Sequence, residues 1–297
     1  MRIRMKKKGK ERALDICINI LLVIMGIVVI YPLWYVLIAS FSSPYAIARG
    51  EVILWPKGFT LKGYTQVLEN SSLWIGYRNT ILYTLASVIL DLGVMTPCAY
   101  ALSRKSLPFR NFIMTLFLIT MYFSGGIIPK YMLLNKLGFV NTPLALIIPG
   151  CVTVFDIIVM RSFFEANIPD SLVDAAMIDG AGYIRFFGQI ALPISPAVLA
   201  VMALYSIQRH WNAYLGAQMY IYKPKYFTLQ QVLRRLTANL DSSLTETLTA
   251  DEIEKLTINK ELMKYSIVIV ACIPLVILYP FIQKFFVKGV MVGAVKG

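Results

Sequence analysis

Charge is scarce in this chain. Lys, Arg, Asp and Glu together make up 15% of its 297 residues, where an ordinary soluble domain has about 25%. Acid is scarcer still, with 16 Asp and Glu against 29 Lys and Arg, for a net charge of +13. Such a basic balance raises nucleic-acid binding, which needs basic groups along one solvated face. With 58% apolar residues and a mean hydropathy of +0.66, most of the chain is too apolar to be solvated. The same balance argues against a cytoplasmic enzyme. Histidine occurs once, at His210, so no His/Glu metal pattern exists, and no nucleophile is evident as its partner. Cys17, Cys98, Cys151 and Cys272 lie far apart in apolar stretches without CxxC spacing. They form neither a disulfide framework nor a zinc site, and read as small core residues. No Gly-x-x-x-x-Gly-Lys-Ser/Thr phosphate loop is present.

Long apolar runs take the place of charge. A helix needs about 20 mainly apolar residues to cross a bilayer, and six stretches qualify: 14–41, 79–102, 112–129, 143–160, 194–215 and 265–283. Asp91 lies near the middle of the second and Asp156 near one end of the fourth; Gly125-Gly126 interrupts the third. The basic start resembles a signal peptide, but the first run is too long for an h-region. Its Tyr31-Pro32-Leu33-Trp34 continuation is not a small-residue cleavage site. The expected fold is therefore an all-α polytopic membrane protein with six spans.

Basic residues in tails and short loops set orientation. The tail 1–13 holds seven, and Arg104, Lys105 and Arg110 follow the second span. Both the N-terminus and the C-terminal tail 284–297 are thus expected in the cytoplasm, with 42–77 and 218–264 outside. The cytoplasmic loop 161–193 departs from this basic trend, carrying Glu165, Asp170, Asp174 and Asp179 against Arg161 and Arg185. It is either a solvated acidic loop or a docking surface.

Within that loop, Pro169-Asp170 suits the first turn of a helix and Gly180 its stop. Leu172, Ala175 and Ala176 then share a face, where two alanines allow close approach and Asp174 puts a charge at the rim. A second short helix, 183–191, is broken by Leu192-Pro193. Asp174-Ala175-Ala176, then Gly180, Ile190, Leu192 and Pro193, resembles the EAA loop of binding-protein-dependent ABC importer permeases, with Asp174 in place of the usual Glu. Trp55-Pro56-Lys57-Gly58-Phe59-Thr60-Leu61, Ala99-Tyr100-Ala101-Leu102-Ser103-Arg104 and the closing 289–297 are similar to carbohydrate-uptake permeases of the maltose-transporter type.

The resemblance implies a type I ABC importer permease fold occupying 78–283. It implies that Asp174, Ala175, Ala176, Asp179 and Gly180 couple to an ATP-hydrolysing subunit, with Ile190, Leu192 and Pro193 as the supporting turn. The implied partners are a second homologous permease, two ATP-binding subunits and an extracellular solute-binding protein, in the bacterial cytoplasmic membrane. The missing phosphate loop agrees, since ATP is then handled by another polypeptide, and no cofactor or catalytic residue is expected here. The implied function is ATP-driven import of an oligosaccharide by alternating access, or import of another small solute by the same architecture. Proton relay through Asp91 and Asp156 in a secondary transporter fits the EAA spacing poorly. A receptor or scaffold lacks a signalling domain.

Polar residues inside spans face a cavity or a partner because lipid penalises them. Asp91 and Asp156 read as buried bonds to neighbouring helices. Asn79 reads equally as a helix–helix bond or as part of a substrate pathway. Arg209, Trp211, Asn212 and Tyr214 read as sugar-pathway lining, with aromatic faces for C–H stacking and a guanidinium able to fork onto a carboxylate, and Trp211 and Tyr214 also suit an interfacial aromatic belt. The loop 218–264 is long for a plain connection. Apolar spacing at Phe227, Leu229, Val232, Leu233 and Leu236 and the charged run Asp251, Glu252, Glu254, Lys255 and Lys260 suggest a helical docking loop for the binding protein.

Overall fold

A computed structural model of the chain describes residues 9–242, 262–277 and 279–280. The described residues are helical throughout, joined by turns, with no strand among them. In order, the helices are α1 (Gly9–Ser40), α2 (Pro44–Ala48), α3 (Lys62–Leu68), α4 (Ser71–Ser103), α5 (Arg110–Tyr122), α6 (Ile127–Lys136) and α7 (Leu144–Ile147). Then come α8 (Val154–Asn167), α9 (Asp170–Ile178), α10 (Tyr183–Phe186), α11 (Pro196–Trp211), α12 (Leu215–Tyr220), α13 (Leu229–Ser242) and α14 (Leu262–Ile277).

The chain divides into two compact units, one of residues 1–70 with 237–272, the other of 71–236 with 273–297. In the first, α1 is apolar on every side, and nearly all its large side chains from Leu14 to Leu33 are exposed. A helix of that kind is a membrane span, with lipid as its solvent. Its end packs: Ile38 and Ala39 meet Ala46, Ile47, Val52 and Leu262, with Tyr35 edge-on to Tyr265. Ser43 caps α2 by accepting from the Ala46 N–H, and Pro44 takes the first helical position. Gly63 lets α3 approach α14 closely, since a Cβ there would stand 2.3 Å from the Ser266 hydroxyl.

In the second unit α4 is the axis, packed against α8 and α11. Its buried positions Thr80, Thr84, Ser87, Asp91, Met95, Ala99 and Leu102 recur every three or four residues, a single face. That face is polar in its first half, whereas Ile81, Leu82, Leu85 and Ile89 point outward. The inside-out order fits lipid as the outer solvent. Met95, Ala99 and Leu102 continue into an apolar core with Ile157, Met160 and Phe164 of α8 and Met202 of α11. Tyr100 lies in the same core among the rings of Phe164, Phe186 and Phe187.

Among the described residues two helices, 14–40 and 71–103, are long and apolar enough to span a membrane unaided. Three others reach that length only as bent pairs. α5 and α6 meet at 109° across Gly126, whose φ of +83° suits glycine. α7 meets α8 at 46°, and α10, extended by a π-turn over Phe187–Ala191, meets α11 at 87°. The stretch 112–129 is therefore not one straight helix, and Gly125-Gly126 marks its break. α4 starts at Ser71, ahead of the apolar run at 79. Cys98 and Cys151 are half-buried but Cys17 and Cys272 are exposed; these two correct the expectation of core cysteines, because they sit on helix faces left uncovered among the described residues. The charged run Asp251–Lys260, residues 1–8 and the tail 284–297 lie outside the described residues.

Asn141, at φ 62°, turns the chain so that its side-chain carbonyl accepts from the N–H groups of Tyr222 and Lys223. α13 starts against α4 at Gly76, where a Cβ would come within 3.1 Å of the Leu229 backbone and of Val232. Gly76→Val should cost about 1–3 kcal/mol through overpacking. A lowered unfolding temperature of the detergent-purified protein checks this; an unchanged one contradicts the close approach.

Candidate functional site

The loop helix α9 is built from its ends. Pro169 precedes it in extended conformation and Asp170 lies in its first turn, where a carboxylate meets the positive end of the helix dipole. At the other end Gly180, at φ +79°, donates to the Met177 carbonyl, and the Ala181 N–H donates to that of Ala176. This paired closure is the Schellman motif. Val173 and Ala176 point into the core, while Asp174, Ala175, Ile178 and Asp179 are exposed. The shared outward face of Leu172, Ala175 and Ala176 is thereby corrected. Ala176, 8% exposed, supports the helix from within. The supporting turn is a π-helical stretch: the Leu192 N–H donates to the Phe187 carbonyl, Ile190 packs on the core and Pro193 is exposed.

An arginine that the motif does not contain fixes this loop. Arg104, 6% exposed at the end of α4, donates to the carbonyls of Phe164 and Ile168 at 3.3 Å and lies 3.6 Å from the Asp170 carboxylate. It thus holds the C-terminal end of α8, whose last carbonyls lack helical partners, and the first turn of α9 at one point. Lys105 adds a second contact to Asp170 at 3.5 Å. Glu165 of α8 pairs with Arg161 and with Arg110, and the Arg110 Nε donates to the Leu102 carbonyl at 2.8 Å. The acid excess of the loop therefore has two parts. Glu165 and Asp170 are matched internally, whereas Asp174 and Asp179 have no ion-pair partner among the described residues.

A second polar constellation lies deeper. Arg209 of α11 donates through one terminal nitrogen to Asp156 of α8 at 2.9 Å and through the other to Asp91 of α4 at 3.2 Å. Ser206 (2.5 Å) and His210 (3.1 Å) reach the same Asp91 oxygen. Ser206, Arg209 and His210 share one face of α11 by their spacing of three and four. Asp91 is fully buried, and Gly150 leaves room for the His210 ring, which a Cβ would approach to 3.1 Å. Three helices are joined by one shared cation.

The other polar candidates separate. Asn79 is buried and its amide donates to the carbonyls of Lys225 and Phe227 at 2.9 and 3.0 Å, while the neighbouring Thr80 hydroxyl accepts from the Leu229 N–H. Both residues tie α4 to the segment leading into α13. Trp211, 5% exposed, lines an apolar cavity of about 600 Å³ with Thr84 and Pro274. Asn212 and Tyr214, just beyond the end of α11, are exposed. Arg209 and Asn79 are thus occupied within the chain, and Asn212 and Tyr214 are open.

Comparison with known proteins decides the family. Residues 71–292 match the binding-protein-dependent transport system inner membrane components. The chain belongs to that family. It is a membrane component of a transport system that depends on a binding protein. Over 286 residues, 96% of each chain, it is 33% identical to Protein LplC of Bacillus subtilis (strain 168). It is 31% identical over 291 residues to the polygalacturonan/rhamnogalacturonan transport system permease protein YtcP of the same organism, covering 97% of this chain and 100% of that one. A chain in the crystal structure of a bacterial ABC transporter that imports the acidic polysaccharide alginate superposes with a TM-score of 0.84, at 29% identity. The match covers 95% of this chain and 99% of that one. The fold is accordingly that of an ABC importer permease.

In this permease Arg104→Ala removes the buried tie between the end of α8 and the first turn of α9. Hydrogen bonds to a charged group contribute about 1.5–3 kcal/mol each, so the loop 161–193 should become open to limited proteolysis while the membrane-embedded remainder stays intact. Cleavage no faster than in the wild type would remove Arg104 from this role.

Proposed function

We propose that this permease imports an oligosaccharide, with six membrane spans and both termini in the cytoplasm. The spans are the six apolar stretches of the sequence, of which the last, 265–283, ends outside the described residues. In this reading the permease sits in a complex with a second homologous permease, two ATP-binding subunits and an extracellular solute-binding protein. Transport is by alternating access, driven by ATP hydrolysis on the partner. The names of YtcP and of the alginate importer support a polysaccharide-derived substrate, and uronate-containing oligosaccharides are the first to test. Asn212 and Tyr214 are the open candidates for the pathway, with Trp211 behind them. Arg209, with both terminal nitrogens bound to Asp91 and Asp156, serves the helices rather than a sugar carboxylate.

The observation that carries the coupling role is α9 itself, a short helix with EAA spacing that is clamped on its inner face and bears two unmatched acids on its outer one. Asp174, Ala175 and Asp179 meet the ATP-binding subunit; Ala176, Gly180, Ile190, Leu192 and Pro193 hold the helix in position. The external segment beyond α12 is the docking region for the binding protein.

Reconstituting the complex in nanodiscs and measuring ATP hydrolysis with loaded binding protein tests the assignment. Ala175→Trp should abolish the stimulation by blocking close approach, without lowering the yield of the permease. Ala176→Trp should lower the yield, since its side chain would enter the core. Asp174→Ala should weaken docking by about 1 kcal/mol or less, as a partly exposed ion pair does. Full stimulation in Ala175→Trp would contradict α9 as the contact.

A further inference from the structure

A cavity of about 590 Å³ opens beside the last turns of α4, within the roughly 300–1,000 Å³ typical of ligand sites. Pro97, Tyr100 and Ala101 of α4 form one wall, Leu107 and Pro108 of the following turn a second, and Ile184 of α10 faces them. Apolar surface dominates it; the polar groups in its lining are those of Tyr100, Arg104, Ser106 and Tyr183. The Tyr100 hydroxyl, on a side chain 5% exposed, has no hydrogen-bond partner. Arg104 lines it too, and the exposed Lys105 and Arg185 each adjoin a lining residue in sequence, Lys105 between Arg104 and Ser106 and Arg185 after Ile184. The acid nearest these basic residues by contact is Asp170, which sits between Arg104 and Lys105.

The depth of the cavity says what kind of molecule fits. Pro97 is six residues inside the end of α4 at Ser103, so the cavity runs about 9 Å along the span at 1.5 Å per residue. A soluble subunit docked on the loop does not reach into that hydrocarbon depth. An acyl chain does, and its headgroup would then lie against Arg104, Lys105 and Arg185. Basic groups at this level attract anionic lipid, and a buried phenol without a partner offers a donor to a phosphate or ester oxygen. From this juxtaposition we infer that the cavity is a binding site for an anionic phospholipid of the cytoplasmic leaflet, its tail between α4 and α10 and its headgroup at the basic rim. The leaflet rests on the topology proposed above; the cavity and its chemistry do not. Since α10 follows α9 directly, the lipid would brace the loop proposed to couple to the ATP-binding subunit.

The intact complex, purified in mild detergent and examined by native mass spectrometry after exchange into nanodiscs of phosphatidylcholine with graded phosphatidylglycerol, tests this. The wild type should retain one phosphatidylglycerol at this site, and Ala101→Trp, which fills the cavity, should lose it. Lys105→Gln should lower the preference for phosphatidylglycerol over phosphatidylcholine by about fivefold. Tyr100→Phe, the mildest change, should weaken retention with assembly unaltered, which keeps the test valid if the tryptophan variant misfolds. Equal lipid retention in all variants would overturn the proposal. So would a cysteine at Ile184 that cross-links across the cavity to the second permease, because the occupant would then be protein. Labelling of a cysteine at Lys105 from outside intact cells would reject the topology instead, and leave the retained-lipid counts to decide the site.

Discussion

A charge in hydrocarbon must be matched, and in this permease the match is Arg209 held between Asp91 and Asp156. An unmatched charged residue at the bilayer centre costs about 2.5–3.5 kcal/mol on insertion scales, and removing one partner of a buried pair about 3–5. Sharing one guanidinium between carboxylates on α4 and α8 fixes the rotation of three helices at once. The polar face of α4 follows from the same constraint. Thr80, Asn79 and Asp91 all turn inward to partners, and the aliphatic side chains take the lipid side.

Arg104 repeats that logic at the end of the span. Its buried guanidinium collects carbonyls at the end of α8 and the carboxylate that opens α9. The end of α4, the end of α8 and the start of α9 therefore move as one. Under the proposed coupling role, a displacement of α9 by an ATP-binding subunit passes to α4 and α8 through this point, and from there to α11 through the deeper charge cluster. The core of Tyr100, Phe164 and Phe186 fills the space between the two polar ties. Packing at that density does not absorb displacement locally.

Much of this was legible in the residues. Apolar length pointed to the long helices α1 and α4, Pro169 and Gly180 bounded the loop helix, and the isolated Asp91 and Asp156 pointed to bonds between helices. What was not legible has physical causes. In α4 the buried positions are polar in the first half and apolar in the second, so hydrophobic periodicity alone does not mark its inner face, and Ala175 and Ala176, adjacent and alike, gave no sign that one is outside and the other inside. The bends between α5 and α6, α7 and α8, and α10 and α11 depend on tertiary packing, although Gly125-Gly126 and Leu192-Pro193 marked two of them. Arg104 was visible as a basic residue following the second apolar run and the acids Glu165 and Asp170 as an excess in the loop. Their pairing needed the fold, because partners that meet across 60 or so residues leave no spacing to read.

The central claim is that Arg209 is a helix tie and not a receptor for substrate. A double-mutant cycle on Asp156→Asn and Arg209→Gln, with thermal unfolding of the purified complex and the KM for sugar uptake read on each variant, addresses it most directly. The account predicts that Arg209→Gln is the more damaging single change. The double variant should lose clearly less stability than the sum of the two, with KM close to the wild-type value in every variant that folds. Additive losses of stability together with a raised KM in Arg209→Gln alone would contradict it and return Arg209 to the substrate pathway.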